Sequence, residues 1–72
     1  MEDSFIDYRG NTLGAARDIR KRLKMAKAGH TINVVCTEDQ TIRILREITF
    51  HDGIVISEET TEDGVFIAIR KT

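Results

Sequence analysis

Thr31-Ile32-Asn33-Val34-Val35-Cys36, followed at once by Thr37-Glu38-Asp39, decides how this chain folds. The first six residues are a β-branched run, the composition of a central strand. Successive side chains of a strand point to opposite faces. Ile32, Val34 and Cys36 therefore share one face, and Thr31, Asn33 and Val35 share the other. The next three residues reverse the signal. Thr37 or Asp39 can cap a helix, and acids in a first turn suit its positive end. A strand that passes straight into a helix calls for a second strand beyond it.

Outward toward the N-terminus, Ser4–Tyr8 reads as a short strand carrying Phe5, Ile6 and Tyr8. Arg9-Gly10 breaks it. Asn11 or Thr12 can then cap a helix that runs to about Ala28. Leu13, Ala16, Ile19, Leu23 and Ala26 fall on one face of it at about 100° per residue. Arg17, Arg20, Lys21 and Lys24 fall on the other. Gly29 is placed to stop it. Outward toward the C-terminus, the second helix carries Ile42, Leu45 and Ile48 inward, with Ile44 a further candidate. Arg43, Arg46 and Glu47 face water, and His51-Asp52-Gly53 ends the helix. Gly53–Glu59 is a third strand. Thr60–Gly64 is a hairpin loop with Asp63-Gly64 as its turn signal. Val65–Arg70 is the fourth strand, with Val65, Ile67 and Ile69 on the face opposite Phe66, Ala68 and Arg70.

The order is β-α-β-α-β-β. It specifies an α+β fold: a two-layer α/β sandwich, with a four-stranded mixed sheet and two helices on one face. Its crossovers should be right-handed. The other sheet face is left bare, showing Val35, Phe66 and Val55. Seventy-two residues suffice for one domain. A chain this short buries only about 60% of the surface exposed on unfolding. One cysteine excludes a disulfide staple, and one cysteine with His30 and His51 falls short of a structural zinc site. No apolar run approaches the length of a membrane span, and no signal peptide is evident. There is no proline.

Net charge is −1, but the charges are segregated. Arg9–Lys27 holds seven basic residues and one acid, and Glu38–Thr72 holds four basic residues and eight acids. The molecule should be electrically two-sided.

Several short motifs in this order resemble the TusA/SirA family of small sulfur-relay proteins, over about Phe5–Lys71. Asp7-Tyr8-Arg9-Gly10 is similar to that family's opening turn. The basic helix ending at Ala28-Gly29-His30 resembles its basic helix. Val34–Asp39 is similar to the strand that there ends in Thr-Asp-Pro. His51 stands near the position of a Gly-His pair, and Asp63-Gly64-Val65-Phe66 with Ile69-Arg70-Lys71 resembles the closing hairpin. The family's signature, Cys-Pro-x-Pro at the start of helix one, is missing: Thr12-Leu13-Gly14-Ala15-Ala16 stands there. In the family that thiol accepts sulfur as a persulfide, at a helix N-terminus that favours the thiolate. The resemblance therefore implies the fold without the relay residue, and the missing prolines belong to the same lost motif.

Cys36 is the one remaining thiol. It is either a small buried apolar residue or a relocated sulfur-accepting thiol activated by the second helix. The basic face of helix one (Arg17, Arg20, Lys21, Lys24) is a solvated face, a docking surface for an acidic protein, or a phosphate-binding surface. No aromatics interleave with the basic run, which weighs against nucleic acid. Even so, β-α-β-α-β-β domains such as the C-terminal domain of translation initiation factor three bind RNA. Val35 and Phe66 mark a possible partner or self-association face. His30 and His51 read as solvated loop residues, and Asp7 and Arg9 as a structural pair. The leading expectation is a non-catalytic protein-binding module with no cofactor or metal, cytoplasmic, and a monomer or weak homodimer.

Overall fold

In the computed structural model, which describes residues 5–72, the strand at Thr31–Cys36 is paired on both edges. The elements are β1 (Ile6–Asp7), α1 (Thr12–Met25), β2 (Thr31–Cys36), α2 (Glu38–Phe50), β3 (Gly53–Thr61) and β4 (Gly64–Lys71). The sheet order is β1-β2-β4-β3. β1 runs parallel to β2, and β4 is antiparallel to both β2 and β3. The expected α+β architecture and element order are therefore present. Ala15, Ile19 and Leu23 of α1 and Ile44 and Ile48 of α2 share one buried cluster with Ile32, Val34, Cys36, Val65, Ile67 and Ile69. Both helices thus cover the same sheet face.

Several boundaries and faces differ from the sequence reading, each for a physical reason. The expected first strand from Ser4 shortens to Ile6–Asp7, with Ser4 outside the described residues. α1 stops at Met25, short of Ala28, because Ala26 turns to extended backbone and its N–H bonds the Leu23 carbonyl. Gly29 shapes the following turn at φ +90°, where its N–H donates to the Lys71 carbonyl at 2.7 Å. Leu13 is 88% exposed and Ala16 only half-buried, while Ala15 is buried. The small Ala15 lies in step with Ile19 and Leu23, one helical turn apart, whereas Leu13 lies far round the cylinder. On α2, likewise, Ile42 stands in water rather than inward, and Gln40 takes the buried face one turn from Ile44. β3 continues to Thr61, so the expected five-residue loop shrinks to Glu62-Asp63 between paired Thr61 and Gly64. Gly64 closes that turn at φ +143°, and a Cβ there would lie 2.7 Å from the Cys36 carbonyl oxygen.

Three polar groups hold the elements in place. Gln40 is 3% exposed, yet both ends of its amide are bonded. Its Oε1 accepts from the Thr37 N–H at 2.8 Å, and its Nε2 donates to the Tyr8 carbonyl at 2.7 Å. It caps α2 and ties that helix to the end of β1. Tyr8 Oη donates to Asp18 Oδ2 at 2.6 Å, anchoring α1 to the same point. At the opposite end, Lys71 Nζ donates to the Leu23 carbonyl at 2.7 Å and to the His51 carbonyl at 3.5 Å. One cation therefore serves the C-terminal ends of both helices, where backbone carbonyls carry partial negative charge.

Gln40→Ala should destabilise the protein by about 1–3 kcal/mol, because it strands the Thr37 N–H and opens a hole. Lys71→Met, which keeps the stem and removes the charge, should cost about 1–2 kcal/mol. Urea unfolding followed by circular dichroism measures both. A Lys71→Met variant as stable as the parent would show that the cation contributes nothing to the helix ends.

Candidate functional site

The start of α1 is where a relay thiol would stand in the resembling family. Asn11 caps the helix, its side-chain oxygen accepting from the Gly14 N–H at 3.1 Å. Thr12 and Leu13 follow on the exposed surface. The turn before them is fixed by Arg9. Its Nε and Nη2 donate to the two Asp7 carboxylate oxygens, each at 2.9 Å, and its Nη1 donates to the Asp63 carbonyl at 2.7 Å. The expected Asp7–Arg9 pair is thus present, and it also reaches the β3–β4 turn. The adjacent guanidinium holds the Asp7 carboxyl below the usual carboxylate range.

Cys36 is fully buried in the core. Its Sγ lies 3.9 Å from Thr41 Oγ1, and that hydroxyl donates to the Thr37 carbonyl at 3.1 Å. Burial pushes the thiol's pKa up and outweighs the lowering by its contact with Thr41, while Glu58 and Asp39 add smaller upward contributions. Proximity to the start of α2 does not offset that burial. A protonated, inaccessible thiol is a poor nucleophile.

The four cations expected on the basic face of α1 (Arg17, Arg20, Lys21 and Lys24) do not act as a set. Arg17, Lys21 and Lys24 are exposed and make no ion pair among the described residues. Arg20 is turned to α2, where its Nε and Nη2 bind the two Glu47 carboxylate oxygens, each at 2.9 Å. Glu47, expected in water, is therefore largely covered, its side chain 14% exposed. His51 joins this group, with Nε2 3.3 Å from Glu47 Oε1, so it is not a free loop histidine. His30 is exposed. Arg22 binds Asp18 through a 2.6 Å bond, and Asp18 already holds Tyr8. The open groove beside β1 has a volume of about 470 Å³ and is lined by Asp7 and Asp18 as well as Arg17 and Lys21. Such a mixed lining gives no phosphate-binding track.

The bare sheet face also differs from expectation. Val35 points to it but is only 3% exposed, so it offers no docking surface. Asp7 and Phe66 flank it in register. Val35 Cγ2 and Arg9 Cδ crowd the same spot, each 3.3 Å from the place a Cβ on Gly64 would take. Phe66 is half-buried beneath Phe5, ring centroids 5.2 Å apart and edge to face. Val55 pairs with Ile69 and so lies on the helix side; Ile54, paired with Arg70, takes the open side. Phe5 as a lid has no local signature in the sequence, because it lies just before β1 and its aromatic partner is on β4, 61 residues later.

Between the N-termini of the two helices is a cavity of about 100 Å³. That is well below the volume of ordinary small-molecule sites. Among the described residues no cluster of three or more His, Cys, Asp or Glu side chains could hold a metal ion, and no helix is long and apolar enough to cross a membrane.

Hydrogen bonds from Tyr8 and Arg22 lower the Asp18 pKa, and those from Arg20 and then His51 lower that of Glu47. A carboxylate with a lowered folded pKa contributes stability above its unfolded pKa, and this is lost as pH falls through the folded value. Stability should therefore decline from about pH 5 downward, and Asp18→Asn should flatten that decline. Urea unfolding at a series of acid pH values measures the slope; an unchanged slope in Asp18→Asn would exclude this carboxylate as a source. No protein-family model matches the chain, and no curated protein is significantly similar to it in sequence.

Proposed function

We propose that this chain is a non-catalytic, cytoplasmic protein-binding module related in design to the TusA/SirA sulfur-relay proteins, and that it docks an acidic protein surface on the exposed side of α1. One observation carries this reading. At the head of α1, where that family places its thiol, stands the 88% exposed Leu13, while the only cysteine lies at 0% exposure in the core. Leu13, Arg17, Lys21 and Lys24 follow one another at spacings of three or four residues, so they form a single stripe along the helix. An apolar anchor beside unpaired cations fits a protein partner better than a phosphate backbone. The nucleic-acid reading is weakened by Asp18 and Glu47, which neutralise Arg22 and Arg20. The relocated-thiol reading is weakened by the burial of Cys36.

The non-catalytic half of the proposal predicts that iodoacetamide labels Cys36 in the native protein at least about 100-fold more slowly than in urea. Fast native labelling, or persulfide transfer abolished by Cys36→Ser, would overturn it. The docking half predicts retention of an acidic protein from native extract, insensitive to nuclease. That retention should be lost in Leu13→Ala and in the triple variant Arg17→Gln, Lys21→Gln, Lys24→Gln. Capture that disappears with nuclease treatment would favour the nucleic-acid reading instead.

A further inference from the structure

The helical layer meets β3 at its first residue, where a Cβ on Gly53 would lie 3.0 Å from Ile48 Cγ2. From Ile54 on to Asp63 every residue is exposed. Their β4 partners on the helix side, Val65, Ile67 and Ile69, are buried. β3 is a nine-residue strand at the end of the sheet order, and among the described residues nothing pairs with its outer side. In an antiparallel pair the backbone bonds alternate along the strand. Alternate N–H and C=O groups of β3 therefore point outward, a template for a further strand.

The side chains say what kind of strand fits. Val55 and Glu58 share the helix side, because they pair with Ile69 and Ile67. Ile54 and Glu59 share the open side, because they pair with Arg70 and Phe66. Each face of β3 thus shows an exposed aliphatic side chain and a carboxylate. A helix laid over one face leaves the other uncovered, whereas a strand beside the edge reaches both. Gly53–Ile69 holds four acids (Glu58, Glu59, Glu62 and Asp63) and no basic residue. Glu58 and Glu59 make no ion pair among the described residues. β3 of a second copy would bring them no cation, so the charge selects a different chain.

We propose that β3 takes an extended, basic segment of a partner protein as a fifth strand, antiparallel to it. Residues directly opposite one another on paired strands share a face. Two adjacent basic residues of the segment, set against Glu59 and then Glu58, therefore meet one carboxylate on each face. In the antiparallel sense the residues that follow run toward Ile56, Val55 and Ile54, where aliphatic side chains complete the pairing. The irregularity between Val55 and Ser57 leaves Ile56 without a partner on β4. Such a bulge discourages indiscriminate edge pairing, so the charged half of the strand carries the selection. The pairing uses no residue of the α1 stripe and does not rest on the docking reading given for it.

The probe is the synthetic peptide acetyl-Thr-Lys-Lys-Thr-Val-Val-Val-Thr-amide, titrated into the isotope-labelled full chain and followed by amide NMR shifts. Saturable shifts along Gly53–Thr61 are expected, with a Kd of about 10–500 µM, a range suited to a small interface. Exchanging both peptide lysines for glutamine should weaken binding at least about fivefold, and this leaves the protein itself untouched. The double variant Glu58→Gln, Glu59→Gln should do the same, with circular dichroism checking its fold. The triple variant Arg17→Gln, Lys21→Gln, Lys24→Gln should bind the peptide as the parent does, which separates this edge from the α1 stripe. No shifts at about 1 mM peptide, shifts centred away from β3, or binding indifferent to both charge changes would overturn the proposal. Self-association of the chain that shifts the same β3 amides without peptide would assign the edge to a second copy and overturn it as well.

Discussion

A single dry layer holds this molecule together. On one side of it are Ile32, Val34 and Cys36 of β2 with Val65, Ile67 and Ile69 of β4; on the other are Ile19, Leu23, Ile44 and Ile48 of the two helices. A chain of 72 residues has enough apolar side chains for one such layer and no more. The β-branched side chains of the strands stand upright on the pleat and mesh with the longer side chains of the helices. Because both helices are committed to this layer, the opposite sheet face has no helical cover. Among the described residues it is shielded by Phe5 on Phe66 and by Arg9 reaching from Asp7 to the Asp63 carbonyl. Cys36 belongs to the same layer, and its place there determines its chemistry.

Polar groups at the rim of the layer decide where the helices begin and end. The N-terminal ends of α1 and α2 lie at the rim where Tyr8, Gln40 and Asp18 are linked by hydrogen bonds. The C-terminal ends share Lys71. Such sharing suits a small domain, since each buried polar side chain satisfies two elements at once. It also couples them: a change at Gln40 is felt at both the β1 exit and the α2 entry.

The fold was legible in the sequence because Thr31–Cys36 and Val65–Arg70 are rich in β-branched residues that recur at every second position, and the turn signals at Gly10, Gly29 and Asp63-Gly64 are local. The faces of the helices were less so. Hydropathy favours Leu13 and Ile42 for the core, but Ala15 fits where the helices approach closely, and Gln40 is buried because its amide is needed by the backbone. Threonine three residues before glutamine is the capping-box signal that could have revealed Gln40. The basic stripe of α1 was legible as composition. That Arg20 leaves it for Glu47 was not, because the two residues lie far apart in sequence and on different helices. The burial of Val35 depends likewise on Arg9 and Phe66, brought to it only by the sheet.

The strand order has a consequence for how the structure is assembled. β2 and β3 are not neighbours; β4, which follows both in the chain, lies between them. Until β4 arrives, β2 lacks its antiparallel partner and β3 has no strand at all to pair with. The β3–β4 hairpin is local, closing at Glu62-Asp63, but inserting it against β2 joins Thr31 to Arg70 across most of the chain. Closing a separation of that kind is slow relative to helix formation. During synthesis on a ribosome, the helices can therefore form early while the sheet waits for the last strand. Through that interval β2 displays Val34, Val35 and Cys36 on an open edge, the segment that a chaperone or an aggregating neighbour would meet first.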